Sequence, residues 1–456
     1  MPSWRHRDHT TGRLTSSLLV LALPLLASGL FGTVVFQIVD LTFISRLGEA
    51  PMAAVVIVNQ SLRQTFMLLL MGASFATQAL IARAVGSGDV ERAEQVAGQS
   101  VVLGGLLSLA MALLGGLFPE FLFSLPGPDP SFAPYGVPYL RLVFLLNFGL
   151  VGTLLFSGIL GGAGDTTTPL FVALLQTAVA LFAEWVLIFG NLGAPALGVR
   201  GVALGVAAGH AAGIAMGLAV LFGGRARVHL RRSHFVPDPR VLREIAKLSW
   251  PPALQMGGTV ITTFAFLRLT GEFGEHVQAA FAIGLRLGMV APAFCFPLAT
   301  ACATLVGQSL GAGDTGRAWR AVGVGLLVHG SAMLAFAVAT ALFRREIMAF
   351  FSDDPEVIRV GAEYLLYAAG SFTAWAFYFV FLRALQGAGD FLVPMAISLG
   401  NIFLVTLPLA YGLVRFTDLG PTGIWIAFLT SNVVVTVGTG IRLATGRWTR
   451  AAAHSR

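Results

Sequence analysis

Two stretches, Gly162-Ala163-Gly164-Asp165 before Pro169 and Gly387-Ala388-Gly389-Asp390 before Pro394, decide how this chain is organised. They lie 225 positions apart (390 − 165) in a sequence of 456 residues. Glycine and aspartate ahead of a proline are typical of a tight turn that leads into a helix. A phosphate-binding loop would also need Lys followed by Ser or Thr, after a strand, and neither stretch has them. We interpret both stretches as tight cytoplasmic turns between helices.

Two further pairs of stretches repeat at nearly the same distance. Gly86–Ala93 and Gly311–Ala318 are 225 positions apart (314 − 89), and Leu47-Gly48-Glu49 and Phe273-Gly274-Glu275 are 226 apart (274 − 48). Because the offsets agree and occur in order, the chain consists of two homologous halves. Two such repeats in the same orientation around a central cavity are typical of a transporter, with a channel or a flippase as the other uses of a duplicated bundle.

The composition excludes an ordinary soluble protein. Hydrophobic residues make up 56% and charged residues 11%, whereas soluble proteins carry about 25% charged residues. Mean hydropathy is +0.80. We therefore expect an all-α, multi-pass membrane protein. The net charge of +7 is explained by a basic cytoplasmic face, so we expect no nucleic-acid partner. Without a visible nucleophile–base pair or metal cluster, we expect neither an enzyme nor a metal or cofactor site.

About twelve segments are long and apolar enough to cross a bilayer. They run approximately over residues 16–45, 51–82, 95–118, 138–161, 168–190, 200–223, 246–270, 277–308, 318–343, 359–385, 391–415 and 421–442. The sequence thus predicts an N-lobe (1–223, helices 1–6), a basic cytoplasmic linker (224–245), a C-lobe (246–443, helices 7–12) and a cytoplasmic tail (444–456). Part of the linker, 228–247, is expected to lie on the inner leaflet as a tether.

Arginine is concentrated at both ends of the chain and in the linker. With an even number of spans these regions lie on one side, which the positive-inside rule makes cytoplasmic. The arginines used are Arg5, Arg7, Arg13, Arg225, Arg227, Arg231, Arg232, Arg240, Arg243, Arg442, Arg447, Arg450 and Arg456. We expect a monomer in the bacterial cytoplasmic (inner) membrane with both termini cytoplasmic, and the first apolar run is too long for a signal-peptide core.

Ionisable residues inside the predicted spans are the candidate functional groups, because they are expensive in a bilayer. Asp40, Arg63 and Glu184 all fall in the outer part of the N-terminal half. The spacing places Thr33, Gln37 and Asp40 on one helical face. We predict that one of the two carboxylates takes up and releases a proton, and a structural ion pair with Arg63 is the alternative. The substrate-cavity candidates are Thr33, Gln37, Arg63, Gln64, Met67, Gln176 and Trp375.

The second half lacks these acids. At an offset of 226, Phe266 replaces Asp40, and Glu184 falls near the segment 406–409. The function is therefore expected to be asymmetric, with ion coupling in the N-terminal half and an aromatic, apolar surface in the other. Trp375 and Phe379 either line a cavity or pack in a core. Both membrane histidines, His210 and His329, are interpreted as hydrogen-bonding groups between helices.

The pattern Asp40…Arg46-Leu47-Gly48-Glu49, the two Gly-Ala-Gly-Asp turns and the stretch Val306–Gly313 resemble the multidrug and toxic compound extrusion (MATE) transporters, most closely their DinF-like bacterial branch. The resemblance implies a twelve-helix, two-lobed MATE/MOP-type fold. It also implies export of organic cations and lipophilic toxins in exchange for protons or sodium ions.

The resemblance maps the first-helix aspartate of that branch to Asp40 and a second acid to Glu184. Ala180 stands where the family often has Asn, and Arg63 is an unexpected charge; both favour protons over sodium. The function expected from the sequence is proton-coupled antiport by alternating access. The alternative is a lipid-linked oligosaccharide flippase, which would use Arg63 and Arg286 in a basic cavity.

Overall fold

The structure, a computed structural model, describes residues 10–224 and 226–451. Within these ranges the chain forms helices and turns but no strand. Twelve long helical stretches follow one another along the chain. In order they are α1 Leu14–Ser45, α2 Glu49–Gly86, α3 Val90–Leu117, α4 Pro130–Leu145 with Phe148–Ala163, α5 Thr167–Phe189, α6 Val199–Phe222, α7 Pro239–Gly271, α8 Glu275–Gly311, α9 Thr315–Leu342, α10 Pro355–Gly387, α11 Leu392–Phe416 and α12 Thr422–Ala444.

Each predicted span overlaps one of these stretches. In the described part of the chain nine helices are long and apolar enough to cross a membrane, or ten if the two arms of α4, bent by 46°, count as one span. The α7 and α8 stretches are also long, at 33 and 37 residues. The orientation argument also used Arg5, Arg7, Arg225 and Arg456, which lie outside the described residues.

The repeated sequence motifs adopt matching backbone conformations in the two halves. Gly164 ends α4 with φ = 88° and Gly389 follows α10 with φ = 85°, a left-handed conformation that glycine adopts at no steric cost. Asp165 then accepts hydrogen bonds from the backbone N–H groups of Thr167 and Thr168 at the start of α5. The prediction that these stretches are tight turns into the next helix is confirmed.

A short helix follows α3 and α9 at equivalent positions, and the sequence reasoning missed both. Pro119–Ser124 and Arg344–Phe351 begin 225 positions apart (344 − 119), the offset of the repeat. The duplication therefore extends to elements too short to carry a hydropathy signal.

The chain divides into two compact units, Leu23–Trp250 and the region from Pro251 onward together with residues 10–22. The change of unit falls inside α1, between Ala22 and Leu23 and beside Pro24, whose ring removes one backbone hydrogen bond from the helix. In the second unit, Arg317 donates hydrogen bonds to the carbonyl oxygens of Thr11 (2.9 Å) and Gly12 (3.1 Å). This division differs from the predicted one, in which residues 1–223 formed the first lobe.

The linker packs against protein in the first unit. Val228 and Leu230 are buried in a core cluster together with Ile245 of α7. Gln99 of α3 accepts a hydrogen bond from the Asp238 N–H (2.9 Å) and donates to the carbonyls of His234 (2.8 Å) and Val236 (2.7 Å). The linker is therefore docked on α3, and its last predicted residues already belong to α7.

Candidate functional site

Two acids of the first unit have buried carboxyl oxygens without hydrogen-bond partners among the described residues. Glu184 on α5 is 0% exposed, and neither of its carboxyl oxygens has a partner among the described residues. Asp40 on α1 is half-buried, and its Oδ1 is likewise buried without one. Because an ionised carboxylate in such surroundings is costly, these groups are suited to exchanging a proton or a cation.

A row of glycines on α6 brings the backbone of α5 close enough to bury Glu184. A Cβ atom on Gly205 would lie 2.5 Å from Glu184 Cγ and 2.8 Å from its backbone nitrogen. Gly201 and Gly209, four residues to either side, are equally close to the α5 backbone. Small residues at such spacing allow membrane helices to approach closely. The position of Glu184 therefore depends on Gly205.

Arg63 comes from a segment of unusual helical geometry. Val58–Arg63 in α2 is π-helical, as are Leu30–Val35 in α1 and Ile402–Thr406 in α11. Such segments are frequent at functional sites, because the extra residue turns side chains away from the regular helical face. The charge of Arg63 acts on both Asp40 and Glu184, and the charge of Asp40 acts on Glu184. The three predicted residues therefore lie within electrostatic range of one another, without an ion pair of Arg63 to either acid in the described part of the chain.

Further polar residues surround this trio, and two of them, Tyr139 and Asn59, were not selected by the sequence reasoning. Tyr139 on α4 is buried and donates a hydrogen bond to Asn59 Oδ1 (3.1 Å) in the π-helical segment of α2. Gln176 on α5 is hydrogen-bonded to His210 Nδ1 (2.6 Å) on α6, as expected for a histidine that joins two helices. The available signal for Asn59 in the sequence was its place at the start of a polar stretch, Asn59-Gln60-Ser61, inside an otherwise apolar span.

A small cavity opens beside Arg63. It has a volume of about 20 Å³ and is lined by Arg63, Asn147 and His210 among apolar side chains of α3, α4 and α6. Asn147 lies in the break between the two arms of α4. The cavity, Arg63 and the two acids all belong to the first unit.

The remaining candidates lie in different environments. The side chains of Gln37 and Gln64 are exposed, and that of Met67 is half-buried. Thr33 lies in the π-helical segment of α1, and its side chain is outside the described set. The face that Thr33, Gln37 and Asp40 are predicted to share therefore stays a prediction. The structure does not bring Gln37 or Gln64 into the buried cluster.

Trp375 lies in the second unit. Its Nε1 donates a hydrogen bond to Asn432 Oδ1 (2.7 Å), and its ring contacts those of Phe372, Phe379 and Phe428. The sequence analysis left two interpretations for Trp375, lining a cavity or packing in a core. These contacts are those of a side chain packed in an aromatic core.

Neutral groups occupy the corresponding place in the second unit. Thr406 lies 222 positions after Glu184 (406 − 184), and Ser431 lies 226 after Gly205 (431 − 205). Their hydroxyl groups are hydrogen-bonded to each other at 2.6 Å. Phe266, which replaces Asp40, is buried in the aromatic core. The two buried acids of the first unit therefore have no acidic counterpart at these positions.

A second group of ionisable residues joins the linker to α3. Glu91, Glu94 and His234 have ligand atoms within 4.8 Å of one another. The Arg231 N–H donates to His234 Nδ1 (3.3 Å), which leaves the ring proton on Nε2, the atom that faces Glu91 (3.4 Å) and Glu94 (3.8 Å). Because Nε2 then has no lone pair for a metal, this geometry describes a docking contact of the linker.

Comparison with known proteins decides the family. The MatE family model matches residues 26–186 and 251–412, one segment in each half. The chain belongs to the MatE family. This confirms the resemblance inferred from the sequence, and this MatE chain is a multi-pass membrane transporter.

Relatives match the MatE chain over nearly its full length. A probable multidrug resistance protein NorM from Deinococcus radiodurans is 30% identical over 442 residues, which cover 93% of this chain and 94% of the relative. A probable NorM from Thermotoga maritima is 25% identical over 446 residues, covering 97% and 95%. A probable multidrug resistance protein YoeA from Bacillus subtilis is 24% identical, covering 90% and 89%.

Solved structures show the same fold. A MATE protein in the bent conformation superposes with a TM-score of 0.88 at 21% identity, covering 98% of both chains. An outward-facing multidrug resistance MATE transporter of the MOP superfamily superposes with a TM-score of 0.85 at 21% identity, covering 97% of this chain and 98% of the other. The predicted all-α MATE fold is confirmed.

Proposed function

We propose that this MatE chain is a proton-coupled antiporter that exports organic cations and lipophilic toxins from the bacterial cytoplasm. The observation that carries the proposal is the trio in the first unit, in which Asp40 and Glu184 have buried carboxyl oxygens without partners among the described residues and Arg63 lies within electrostatic range of both. The substrate class is supported by relatives named as multidrug resistance proteins.

The charge of the trio explains how a proton and a cationic drug would exclude each other. With both acids ionised, the two carboxylates and one guanidinium leave one net negative charge. That charge attracts an organic cation, and uptake of one proton cancels it. Protonation therefore releases the drug, and loss of the proton restores the receptive state.

Protons fit this site better than sodium. A sodium ion needs several oxygen ligands, and Ala180, buried one turn before Glu184, supplies no side-chain oxygen. A sodium ion would also face the positive charge of Arg63.

Alternating access follows if the drug and the proton bind the two states of the transporter unequally. We place the protein in the bacterial inner membrane, as a monomer with both termini cytoplasmic. The docked linker would then lie at the cytoplasmic face.

The test is ethidium efflux activity, measured as uptake of ethidium into everted vesicles, whose cytoplasmic face is outside, under an imposed pH gradient or an imposed sodium gradient. Wild type, Asp40→Asn and Glu184→Gln are compared, with Asp418→Asn as the control, because Asp418 is an exposed acid between α11 and α12. We expect efflux driven by the pH gradient alone, lost in both site variants and retained in the control. Efflux that follows sodium, or that survives both substitutions, would contradict the coupling assignment. Competition by lipid-linked anions without transport of any cation would support the flippase alternative.

A further inference from the structure

We infer that Asn147 and His210 hold one internal water against Arg63, and that this water positions the guanidinium beside the coupling acids. The water site follows from the cavity geometry. Its effect on pH dependence rests on the proposed function.

Asn147 presents a fixed hydrogen-bond acceptor to the cavity. The residue is 4% exposed and lies between Leu145 and Phe148, where the two arms of α4 meet. Its Nδ2 donates to the carbonyl oxygens of Ser108 (3.0 Å) and Phe144. Exchanging the amide nitrogen and oxygen would set Oδ1 against both carbonyls, so this orientation is determined. Oδ1 is buried and has no partner among the described residues.

His210 presents its second ring nitrogen to the same cavity. The residue is 7% exposed, and its Nδ1 is hydrogen-bonded to the side-chain amide of Gln176 (2.6 Å). Its Nε2 is buried without a partner in the described part of the chain, and it donates or accepts a hydrogen bond according to the tautomer of the ring.

A water molecule satisfies both groups. It donates a hydrogen bond to Asn147 Oδ1, accepts one from Arg63, and either accepts from or donates to His210 Nε2, because a water molecule can do both. The cavity volume of about 20 Å³ is sufficient, since one water needs about 10–15 Å³. A chloride ion would face Asn147 Oδ1 and a metal cation would face Arg63, so neither matches the lining.

The water gives Arg63 a neutral partner on the side of the cavity. The charged and titratable groups that Arg63 influences are Asp40, Glu184, Tyr139 and His210. A guanidinium without this partner would turn towards one of the acids and hold it in its charged form. The carboxylates of Asp40 and Glu184 would then take up a proton only at lower pH. The pH profile of transport would therefore move to lower pH.

The direct test is brief X-ray radiolysis of the wild-type protein in H₂¹⁸O, read by mass spectrometry. Internal water converts to hydroxyl radical and labels the side chains beside it. We expect ¹⁸O on Met111 or Phe144, which line the cavity. Folded wild-type protein without label at either residue would overturn the water site, whichever ion drives transport.

The functional test is a double-mutant cycle. His210→Leu should move the pH of half-maximal efflux by about one unit towards acid, and the shift should vanish in the Arg63→Gln background. If His210→Leu fails to fold, Asn147→Ser on the other side of the cavity replaces it in the same double-mutant cycle, because serine keeps a small polar group at that position. An equal shift in both backgrounds would overturn the positioning role. Efflux that proves to be sodium-driven while the label is present would refute the coupling ion and leave the water site standing.

Discussion

Replacing Gly205 by alanine tests whether the glycine row on α6 places Glu184. The added Cβ would lie 2.5 Å from Glu184 Cγ and 2.8 Å from its backbone nitrogen. Ordinary contact begins at about 3.4 Å, so the shortfalls are about 0.9 and 0.6 Å. Rotation of the Glu184 side chain relieves only the first contact. The second involves backbone, and α5 must move away from α6.

The expected result is a loss of transport larger than the loss of stability. Overpacking lowers the free energy of unfolding by about 1–3 kcal/mol. The higher helix propensity of alanine offsets up to about 1 kcal/mol of this loss. The net cost is small enough for the protein to fold. A displacement approaching 1 Å at a coupling group is expected to reduce efflux by about tenfold or more.

The assay compares thermal unfolding and proton-driven ethidium efflux in the same membrane preparation. Gly105→Ala on α3 is the matched control, because a Cβ there meets nothing within 4 Å. The control should keep wild-type efflux. If Gly205→Ala also transports at the wild-type rate with the wild-type pH profile, the position of Glu184 does not depend on this helix contact.

Three further predictions concern groups outside the acid pair. Gln99→Leu removes the three hydrogen bonds to the linker, so limited trypsin digestion should cut the linker faster than in wild type. The Glu356 N–H donates to Asp354 and holds the pKa of that carboxyl below its usual value. The Tm advantage of wild type over Asp354→Ala should therefore shrink as the pH falls below about 4, where the carboxyl is protonated. A difference that grows in that range would contradict this. Trp375→Phe loses the hydrogen bond to Asn432 and should lower the Tm without changing the KM for ethidium. A changed KM would indicate that Trp375 lines the substrate cavity.

Most of the fold was predictable from the sequence because its signals are long. A span needs about 20 apolar residues, and the repeat, with an offset of 225 or 226 positions, appears in three pairs of motifs. The π-helical segments were not predictable, because one inserted residue leaves the hydropathy of a span unchanged. The linker was expected at the lipid surface because it is basic. Its buried valine and leucine and its contacts with Gln99 depend on tertiary structure that composition does not encode.

The candidate site was predictable in part for a similar reason. Charges inside spans are few, so Asp40, Arg63 and Glu184 were found from their depth alone. Their neighbours were not, since Asn147 becomes a site residue only through the break in α4. The glycine row was visible in the sequence, but nothing there tells which helix it faces.

α1 begins in one unit and continues in the other, and this affects how the chain is made. Leu18 and Leu21 belong to the same core cluster as Leu443 and Trp448. The ribosome makes Leu18 and Leu21 long before it makes Leu443 and Trp448, which follow them by more than 400 positions. The start of α1 therefore meets these neighbours only after α12 has been made. Assembly of this part of the transporter cannot follow chain order strictly, because the start of α1 must wait for the end of α12.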